Sequence, residues 1–206
     1  MTAGCAGGGR LTETPELRGP RAVLRPPSPD DVAGWKALGV DPEIERLFGH
    51  AAEACSERSD EDARWLTSPV FRPDEIEWIV AADDAVIGSA RLHSWHRDDR
   101  HARYAIGILS SAHFGRGLGT EATRLVLRYG FEVLGLHRVA VRVLAFNERA
   151  IRCYRSCGFR EEGRERESCL LEGEWHDDVI MGLLENEYRT RAPSWPEPGG
   201  RSVEEG

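Results

Sequence analysis

Hydrophobic and polar positions alternate through the middle of the chain and predict three successive strands, at 76–82, 86–95 and 103–109. Short acidic turns at 82–85 and 97–100 separate them. Ahead of these strands, residues 22–25 predict a first short strand. Helices are predicted after Ser28 as N-cap, from Asp41 to about Gly49, and over 60–66. This half of the chain therefore predicts a mostly antiparallel sheet with helices packed against it.

The second half of the chain has a different order of elements. The 103–109 strand leads into a glycine-rich segment, residues 114–120, which we call the glycine loop. A helix with one apolar face is predicted over 121–134, ending at Gly135, and a strand follows at 139–146. A mostly antiparallel set followed by a β-loop-α-β-α unit predicts an α+β fold with a mixed sheet.

The two ends of the chain lack this periodicity. Residues 1–20 are rich in glycine, and residues 190–206 are rich in proline and glycine. We expect both to be flexible tails around one domain at 21–189. A chain of 206 residues with 40% hydrophobic content is long enough to bury a core as a single domain.

Composition narrows the classes of partner. The net charge of −8 argues against a nucleic-acid-binding face and weakly favours a cationic substrate. No apolar run approaches the ~20 residues that span a bilayer, and residues 1–20 lack the basic and apolar regions of a signal peptide. The five cysteines are odd in number and lack Cys-x-x-Cys spacing. Cys153 and Cys157 fall one helical turn apart and are interpreted as small residues beside the core, with a redox pair or half a metal site as the alternatives. We therefore expect a cytoplasmic protein with no membrane contact and no metal.

The glycine loop indicates a binding site for a pyrophosphate. Glycines between a strand and a helix let backbone N–H groups approach an anion, and the helix N-terminus adds partial positive charge. Gly117, Gly119 and Ala122 also match a dinucleotide fingerprint, although Asn147 ends the next strand where that fingerprint requires an acid. Two alternatives to this interpretation of the glycine loop remain: a site for NAD or FAD, and a tight turn that binds no ligand.

Residues 147–159, Asn-Glu-Arg-Ala-Ile-Arg-Cys-Tyr-Arg-Ser-Cys-Gly-Phe, follow the 139–146 strand directly. Together with Gly-Arg-Gly-Leu-Gly-Thr-Glu-Ala at 115–122, they resemble the GNAT superfamily of acetyl-CoA-dependent N-acetyltransferases. The closest likeness is to the branch that acetylates ribosomal-protein N-termini and polyamines. The resemblance covers about residues 22–188, including a closing hairpin at 171–184.

The resemblance implies acetyl-CoA as acyl donor and a splayed parallel strand pair that admits its pantetheine arm. It also implies three groups of cofactor contacts: backbone contacts to pantetheine from Ile106, Gly107 and Ile108; pyrophosphate contacts from Phe114, Gly115, Arg116, Gly117, Leu118, Gly119 and Thr120; and a contact from the opposite wall by Asn147. Asn147 is equally suited to cap the helix that follows it.

The same resemblance makes Tyr154 the general acid that protonates the leaving thiolate. Relatives often carry a carboxylate base in the strand before the glycine loop, but residues 102–106 contain none, and Tyr104 stands there. His93 is the first candidate base because imidazole titrates near neutrality. His176, Asp177 and a water relay are the other candidates.

The function implied is acetyl transfer to a primary amine: a protein N-terminus, a polyamine or a small amine. A catalytically silent acetyl-CoA-binding regulatory module is the alternative, a dinucleotide-dependent oxidoreductase is a third, and a homodimer is a candidate assembly. Candidate acceptor contacts are Trp35, Trp95, Trp175, Asp98, Asp99, Asp177 and Asp178.

Overall fold

The computed structural model describes residues 14–51, 58–67 and 74–197. The strands are β1 (Leu17–Arg18), β2 (Ala22–Arg25), β3 (Ile76–Ala82), β4 (Ala85–His96), β5 (His101–Ile108), β6 (Arg138–Leu144), β7 (Arg160–Leu171) and β8 (Glu174–Leu184). The helices are α1 (Asp31–Ala37), α2 (Pro42–Arg46), α3 (Asp60–Thr67), α4 (Leu118–Arg128), α5 (Glu148–Ser156) and α6 (Glu185–Arg191). Short 3₁₀ turns lie at Ser111–His113 and Ala192–Ser194, and a π-helical turn, Tyr129–Val133, continues α4.

All eight described strands form one sheet in the order β1-β2-β3-β4-β5-β6-β8-β7. Neighbouring strands are antiparallel except β5 and β6, which run parallel. A parallel pair needs a crossover connection, and the glycine loop with α4 supplies it. The predicted α+β fold with a mixed, mostly antiparallel sheet is confirmed.

Two hydrophobic cores lie on opposite faces of this sheet. Alternate residues of each strand point to opposite faces, so Trp78 of β3 packs with α4 and α5, whereas Ile79 packs with α1, α2 and α3. We call these the α4 face and the α1 face. On the α1 face, Trp35 packs edge-on against Trp65.

The parallel pair opens before its strands end. β5 and β6 are paired only from His101 to Arg103, opposite residues 138–140. Beyond this point β5 continues to Ile108 and β6 to Leu144, on either side of a gap. Local pairing elsewhere keeps both strands extended, because β4 pairs along β5 and β8 pairs along β6. The splayed parallel pair is thus present.

Several predicted boundaries need correction. Regular helix α1 begins at Asp31, one turn later than predicted, but Ser28 does cap that turn: its hydroxyl accepts a hydrogen bond from the Asp30 N–H, and the Asp31 carboxylate accepts one from the Ser28 N–H. Helix α4 begins at Leu118, inside the glycine loop, rather than at residue 121. By contrast, Asp41 caps α2 as predicted, accepting hydrogen bonds from two backbone N–H groups.

The predicted tails are partly wrong, because folded elements lie inside both. Leu17–Arg18 pair with β2 at the edge of the sheet. Helix α6 runs to Arg191, and Trp195 beyond it is buried against Tyr188. Much of 1–20 and 190–206, namely residues 1–13 and 198–206, lies outside the described residues. Within the described part, no helix is both long and apolar enough to cross a membrane.

Candidate active site

The glycine loop turns β5 into α4 through two left-handed residues. Gly115 and Gly117 have φ of 71° and 77°, values that favour glycine over residues with a Cβ. Gly117 is the N-cap of α4 and offers no side-chain cap to the first-turn amides. The Glu121 carboxylate in that turn is bound by the backbone N–H groups of Arg21 and Ala22. The start of α4 therefore presents backbone donors to an anion.

A cavity of about 700 Å³ begins at this loop and runs between β5 and β6. On the α4 face its lining is Gly115 and residues 117–120 of the glycine loop, together with Tyr104, Ile106, Ile108, His113, Val143, Asn147, Arg149, Ala150, Arg152, Cys153, Tyr154 and Ser156. Phe114 also lines the cavity and packs against the α1-face core. On the α1 face its lining is Leu47, Phe48, His93, Arg103, Ala105, Arg142, Leu144, Ser168, Cys169 and Asp178. Because consecutive residues of β5 and β6 line it on opposite faces, the cavity passes through the sheet at the splay.

Tyr154 lies in the α4-face half of the cavity. Its ring packs edge-on against Phe159 and Tyr104, and the residue is buried. Its hydroxyl has no hydrogen-bond partner among the described residues, yet it is not among the polar atoms sealed in the interior. Burial, and then the nearby Cys153 and Cys157, raise the pKa of Tyr154. The phenol is therefore protonated at neutral pH and free to donate into the cavity.

Tyr104 lines the same half but is already bonded. Its hydroxyl lies 3.2 Å from the Thr123 hydroxyl, which in turn donates to the Gly119 carbonyl at 2.7 Å. Burial raises the pKa of Tyr104 well above its usual value. This tyrosine therefore links β5 to the first turn of α4.

His93 lies in the α1-face half of the cavity, beside Arg103 on the neighbouring strand. Its Nδ1 lies 3.1 Å from the Ser94 hydroxyl. Partial burial, and then the positive charge of Arg91, lower the pKa of His93, so the imidazole is neutral at neutral pH. A neutral imidazole facing a cavity can accept a proton.

The other base candidates are placed less well. His176 stacks edge-on against Phe146 and is not among the residues that line the cavity. The Asp177 carboxylate accepts a hydrogen bond from the Glu167 backbone and is also outside the lining. Of the described candidates, only His93 faces the cavity.

Asn147 joins the two sides of the site. Its Oδ1 accepts a hydrogen bond from the Ala150 N–H at 3.1 Å, which caps α5. Its Nδ2 donates to the carbonyl of Leu47, just after α2, at 3.2 Å. The capping interpretation is confirmed, and the side chain also lines the cavity, where the cofactor contact stays a prediction.

Cys153 lines the cavity one helical turn before Cys157. The neighbouring Cys157 thiol, and then the Thr120 hydroxyl 3.4 Å from its sulfur, lower the pKa of Cys153. Both thiols are free. Packing alone, the sequence-based interpretation, therefore misses the chemical difference between them.

Two residues predicted to contact the cofactor do not line the cavity. Arg116 turns outward, where its guanidinium pairs with Asp83 at 2.8 Å. Gly107 is also not among the lining residues, and its backbone contact to pantetheine stays a prediction. Arg149 of α5 does line the cavity, and its guanidinium covers the Phe114 ring at 3.4 Å. The positive charge beside the glycine loop thus comes from α5 rather than from the loop.

The residues predicted to contact the acceptor can also be compared with the lining of the cavity. Of the seven aromatic and acidic residues considered for an acceptor, only Asp178 lines the cavity. Among residues 14–51, 58–67 and 74–197, no three His, Cys, Asp or Glu side chains form a group that could hold a metal ion. The arrangement offers an anion site, a buried phenol and a neutral imidazole along one channel.

Comparison with known proteins identifies the family of this arrangement. A family model described as "Acetyltransferase (GNAT) domain" matches residues 21–160. The chain is 35% identical over 105 residues to a probable N-acetyltransferase, YjcK, of Bacillus subtilis (strain 168), covering 51% of this chain and 58% of that protein. It is 29% identical over 166 residues to the spermidine N(1)-acetyltransferase of Escherichia coli (strain K12), covering 80% of this chain and 87% of that protein.

The fold is also that of a solved relative. The crystal structure of spermidine N-acetyltransferase from Vibrio cholerae in complex with CoA and spermine matches with a TM-score of 0.70. The match covers 82% of this chain and 98% of that one, at 24% identity.

Proposed function

The chain belongs to the GNAT acetyltransferase family, and from this premise we propose that Tyr154 and His93 are the general acid and base of its acetyl transfer. The protein is an N-acetyltransferase that moves an acetyl group from the thioester of acetyl-CoA to an amine. The dinucleotide interpretation of the glycine loop is wrong, because the family match includes that loop. The observation that carries the proposal is the cavity through the sheet, with the phenol on one face and the imidazole on the other.

Acetyl-CoA supplies the activated acyl group, and the residues present fit it. The uncapped first-turn amides of α4 and the two left-handed glycines suit its pyrophosphate. Arg149 adds positive charge at the same end of the cavity. The residues proposed to hold the coenzyme are Ile106, Ile108, Phe114, Gly115, Gly117, Leu118, Gly119, Thr120, Asn147 and Arg149.

The proposed roles follow from the side of the sheet on which each residue lies. The amine approaches on the α1 face, where neutral His93 accepts the proton that its nitrogen loses. The nitrogen bonds to the acetyl carbon, and the carbon–sulfur bond breaks. The sulfur leaves on the α4 face as a thiolate, to which Tyr154 donates its phenolic proton.

Acetyl-CoA-dependent thiol release by the purified protein tests this function. The panel holds N-terminal peptides, spermidine, simple amines and amino acids, with NADH binding as a negative control. Acetyl-CoA-dependent release with one acceptor class is the expected result. Acetyl-CoA binding without release from any acceptor would favour the silent regulatory module instead.

We also propose a cytoplasmic location and a homodimer. The cysteines of the described chain, Cys153, Cys157 and Cys169, are free, as in a reducing compartment. Leu170 and Trp175 are exposed side by side on the β7–β8 hairpin and are the surface we would test. By light scattering, the wild type should have the mass of a dimer and Trp175→Glu the mass of a monomer. A wild-type monomer would contradict this assembly.

A further inference from the structure

The α1-face half of the cavity carries an uneven set of charges. Two arginines, Arg103 and Arg142, line it, together with His93, which is neutral at neutral pH. Asp178 is the only acidic residue among the described lining residues. The charge that an acceptor meets there depends on which of these groups are already paired.

The Asp178 carboxylate is bound by the protein through one of its two oxygens. It is buried, and its Oδ2 accepts hydrogen bonds from Arg142 Nε at 2.5 Å and from the Ser168 hydroxyl at 2.7 Å. Arg142 also lies 3.3 Å from a Glu165 oxygen. Arg142 is therefore paired with two carboxylates, and the Oδ2 atom of Asp178 is already occupied by two protein donors.

Arg103 differs from Arg142 because its charge is not offset. Among the described residues, no carboxylate lies within ion-pairing distance of its guanidinium, and its side chain is exposed on β5 at the cavity. It stands directly across from His93 in the β4–β5 register. Such neighbours have Cβ atoms about 5 Å apart, so one small molecule can reach both.

We propose that the acceptor is an α-amino acid, with its carboxylate bound by Arg103 and its α-amine directed to His93. This inference rests on the proposed function and names its acceptor class. A guanidinium binds a carboxylate through two parallel hydrogen bonds, which fixes the acceptor's orientation as well as its charge. The remaining wall, formed by Leu47, Phe48 and Leu144, is apolar and suits an aliphatic side chain.

The same charges disfavour a polyamine. A polyamine carries several positive charges and needs free carboxylates along its path. This half of the cavity offers instead a free arginine and a carboxylate that is already paired. The cationic acceptor suggested by the net charge of −8 is therefore not matched by the local charge at the site.

The test compares acceptors that differ in one group. The panel is leucine, leucinamide, 3-methylbutylamine and spermidine, and the measured quantity is kcat/KM at saturating acetyl-CoA. We expect leucine to exceed leucinamide and 3-methylbutylamine by about 10-fold or more, as a charge-assisted hydrogen-bond pair implies. A spermidine preference, or equal rates for leucine and leucinamide, would overturn the proposal.

Two variants assign the effect to one residue. Arg103→Gln should lower kcat/KM for leucine about 10-fold or more and change that for 3-methylbutylamine less than about 3-fold. Arg91→Gln is the matched control, because Arg91 also lowers the pKa of His93 but is not among the cavity-lining residues. It should leave the leucine preference intact. Loss of the preference in Arg91→Gln, or its survival in Arg103→Gln, would contradict the assignment.

A binding measurement separates this proposal from the catalytic one. Calorimetry on the CoA-loaded protein compares N-acetylleucine with N-acetylleucinamide and needs no turnover. Tighter binding of N-acetylleucine that Arg103→Gln abolishes would support the carboxylate site even if thiol release failed. Equal binding of the two compounds would refute the site even if the protein acetylated another amine.

Discussion

At the scale of single residues, two tyrosines in one cavity differ in what their hydroxyls bond. Their rings lie 6.5 Å apart, but Tyr104 is held by Thr123, whereas Tyr154 has no described partner. We expect Tyr154→Phe to lower kcat about 100-fold or more, with little change in acetyl-CoA affinity, since only the acid is removed. Thiol-release kinetics and calorimetry measure the two quantities.

The matched control for this substitution is Tyr104→Phe. It removes a hydroxyl from the same half of the cavity, and Thr123 keeps its bond to the Gly119 carbonyl. We expect kcat to change less than about 5-fold, because the lost group is structural. Equal losses of kcat in Tyr154→Phe and Tyr104→Phe would contradict the assignment of Tyr154 as the general acid.

The pH profile tests His93. Partial burial and Arg91 hold the pKa of His93 below its usual 6.5, Arg103 lowers it further, and Glu75 and Asp74 oppose them. A base acts only when neutral, so kcat should fall as the pH drops through this lowered pKa and be flat above it. His93→Gln should lower kcat about 100-fold and abolish this acidic limb.

The control for His93 is His176→Gln, on the β7–β8 hairpin outside the cavity lining. It should keep both kcat and the shape of the profile. An acidic limb that persists in His93→Gln would indicate a different base or a water relay.

Alkylation tests the environment of Cys153. The pKa of Cys153 is lowered, whereas that of Cys157 is raised, so Cys153 has the larger thiolate fraction near neutral pH. Iodoacetamide should therefore modify Cys153 ahead of Cys157, as peptide mapping by mass spectrometry would detect. Acetyl-CoA at ten times its Kd should slow the reaction about 10-fold, because the thiol lines the cavity.

Cys153→Ser is the control for this labelling experiment. Removing the thiol should eliminate the protected peptide adduct and leave other adducts unchanged. Labelling that acetyl-CoA does not slow would place Cys153 outside the coenzyme half of the cavity.

Much of the site was predictable residue by residue, because its motif residues follow one another along the chain. Tyr154 and most of the glycine loop line the cavity as expected. Arg116 does not line the cavity, because its guanidinium pairs with Asp83 at the surface. Asp83 lies in a turn far away along the chain, so local sequence could not reveal this ion pair. Arg103 was not singled out, since its importance depends on a register that brings it beside His93.

At the scale of elements, the turn before α4 depends on a left-handed residue. Gly117 has φ of 77°, and an added Cβ would lie 3.3 Å from the Arg21 guanidinium. We expect Gly117→Ala to cost about 1–2 kcal/mol of stability and to raise the acetyl-CoA Kd about 10-fold, because the first-turn amides shift. Urea unfolding and calorimetry measure these effects.

Gly135 provides the matched control for this turn. Its φ is 66° and an added Cβ would meet nothing within 4 Å, but it lies beyond the far end of α4. Gly135→Ala should cost a similar 1–2 kcal/mol and leave the Kd unchanged. If both variants weakened binding equally, the effect would be one of general stability.

The elements with strong periodicity were predicted closely, and those without it were missed. The 76–82 strand coincides with β3, whose residues are all buried or partly buried in the core. The N-terminal part of β7 was not predicted, because it is an edge strand whose residues are mostly exposed and charged. Strand β1 has two residues and is too short for any pattern.

At the scale of the whole molecule, the C-terminal segment is part of the core. Trp195 is buried, packs edge-on against Tyr188 and lies under the Arg124 guanidinium. We expect Trp195→Ala to lower the free energy of unfolding by about 3 kcal/mol, as large-to-small core substitutions do. Urea denaturation would measure it.

Val133→Ala is the control, because Val133 is 69% exposed and lies away from the β7–β8 hairpin. It should change the free energy of unfolding by less than about 0.5 kcal/mol. Equal effects of the two substitutions would mean that the C-terminal segment is not docked on the domain in solution.

The passage of the cavity through the sheet has a consequence for the order of events. Two substrates that enter from opposite faces do not compete for one opening, so both can be held at once. The acetyl group can then move directly between them, without waiting on the protein as an acyl-enzyme. Each product also retreats along the path by which its precursor arrived. On the proposed mechanism, the splay between β5 and β6 therefore predicts a ternary complex of both substrates as well as a binding site.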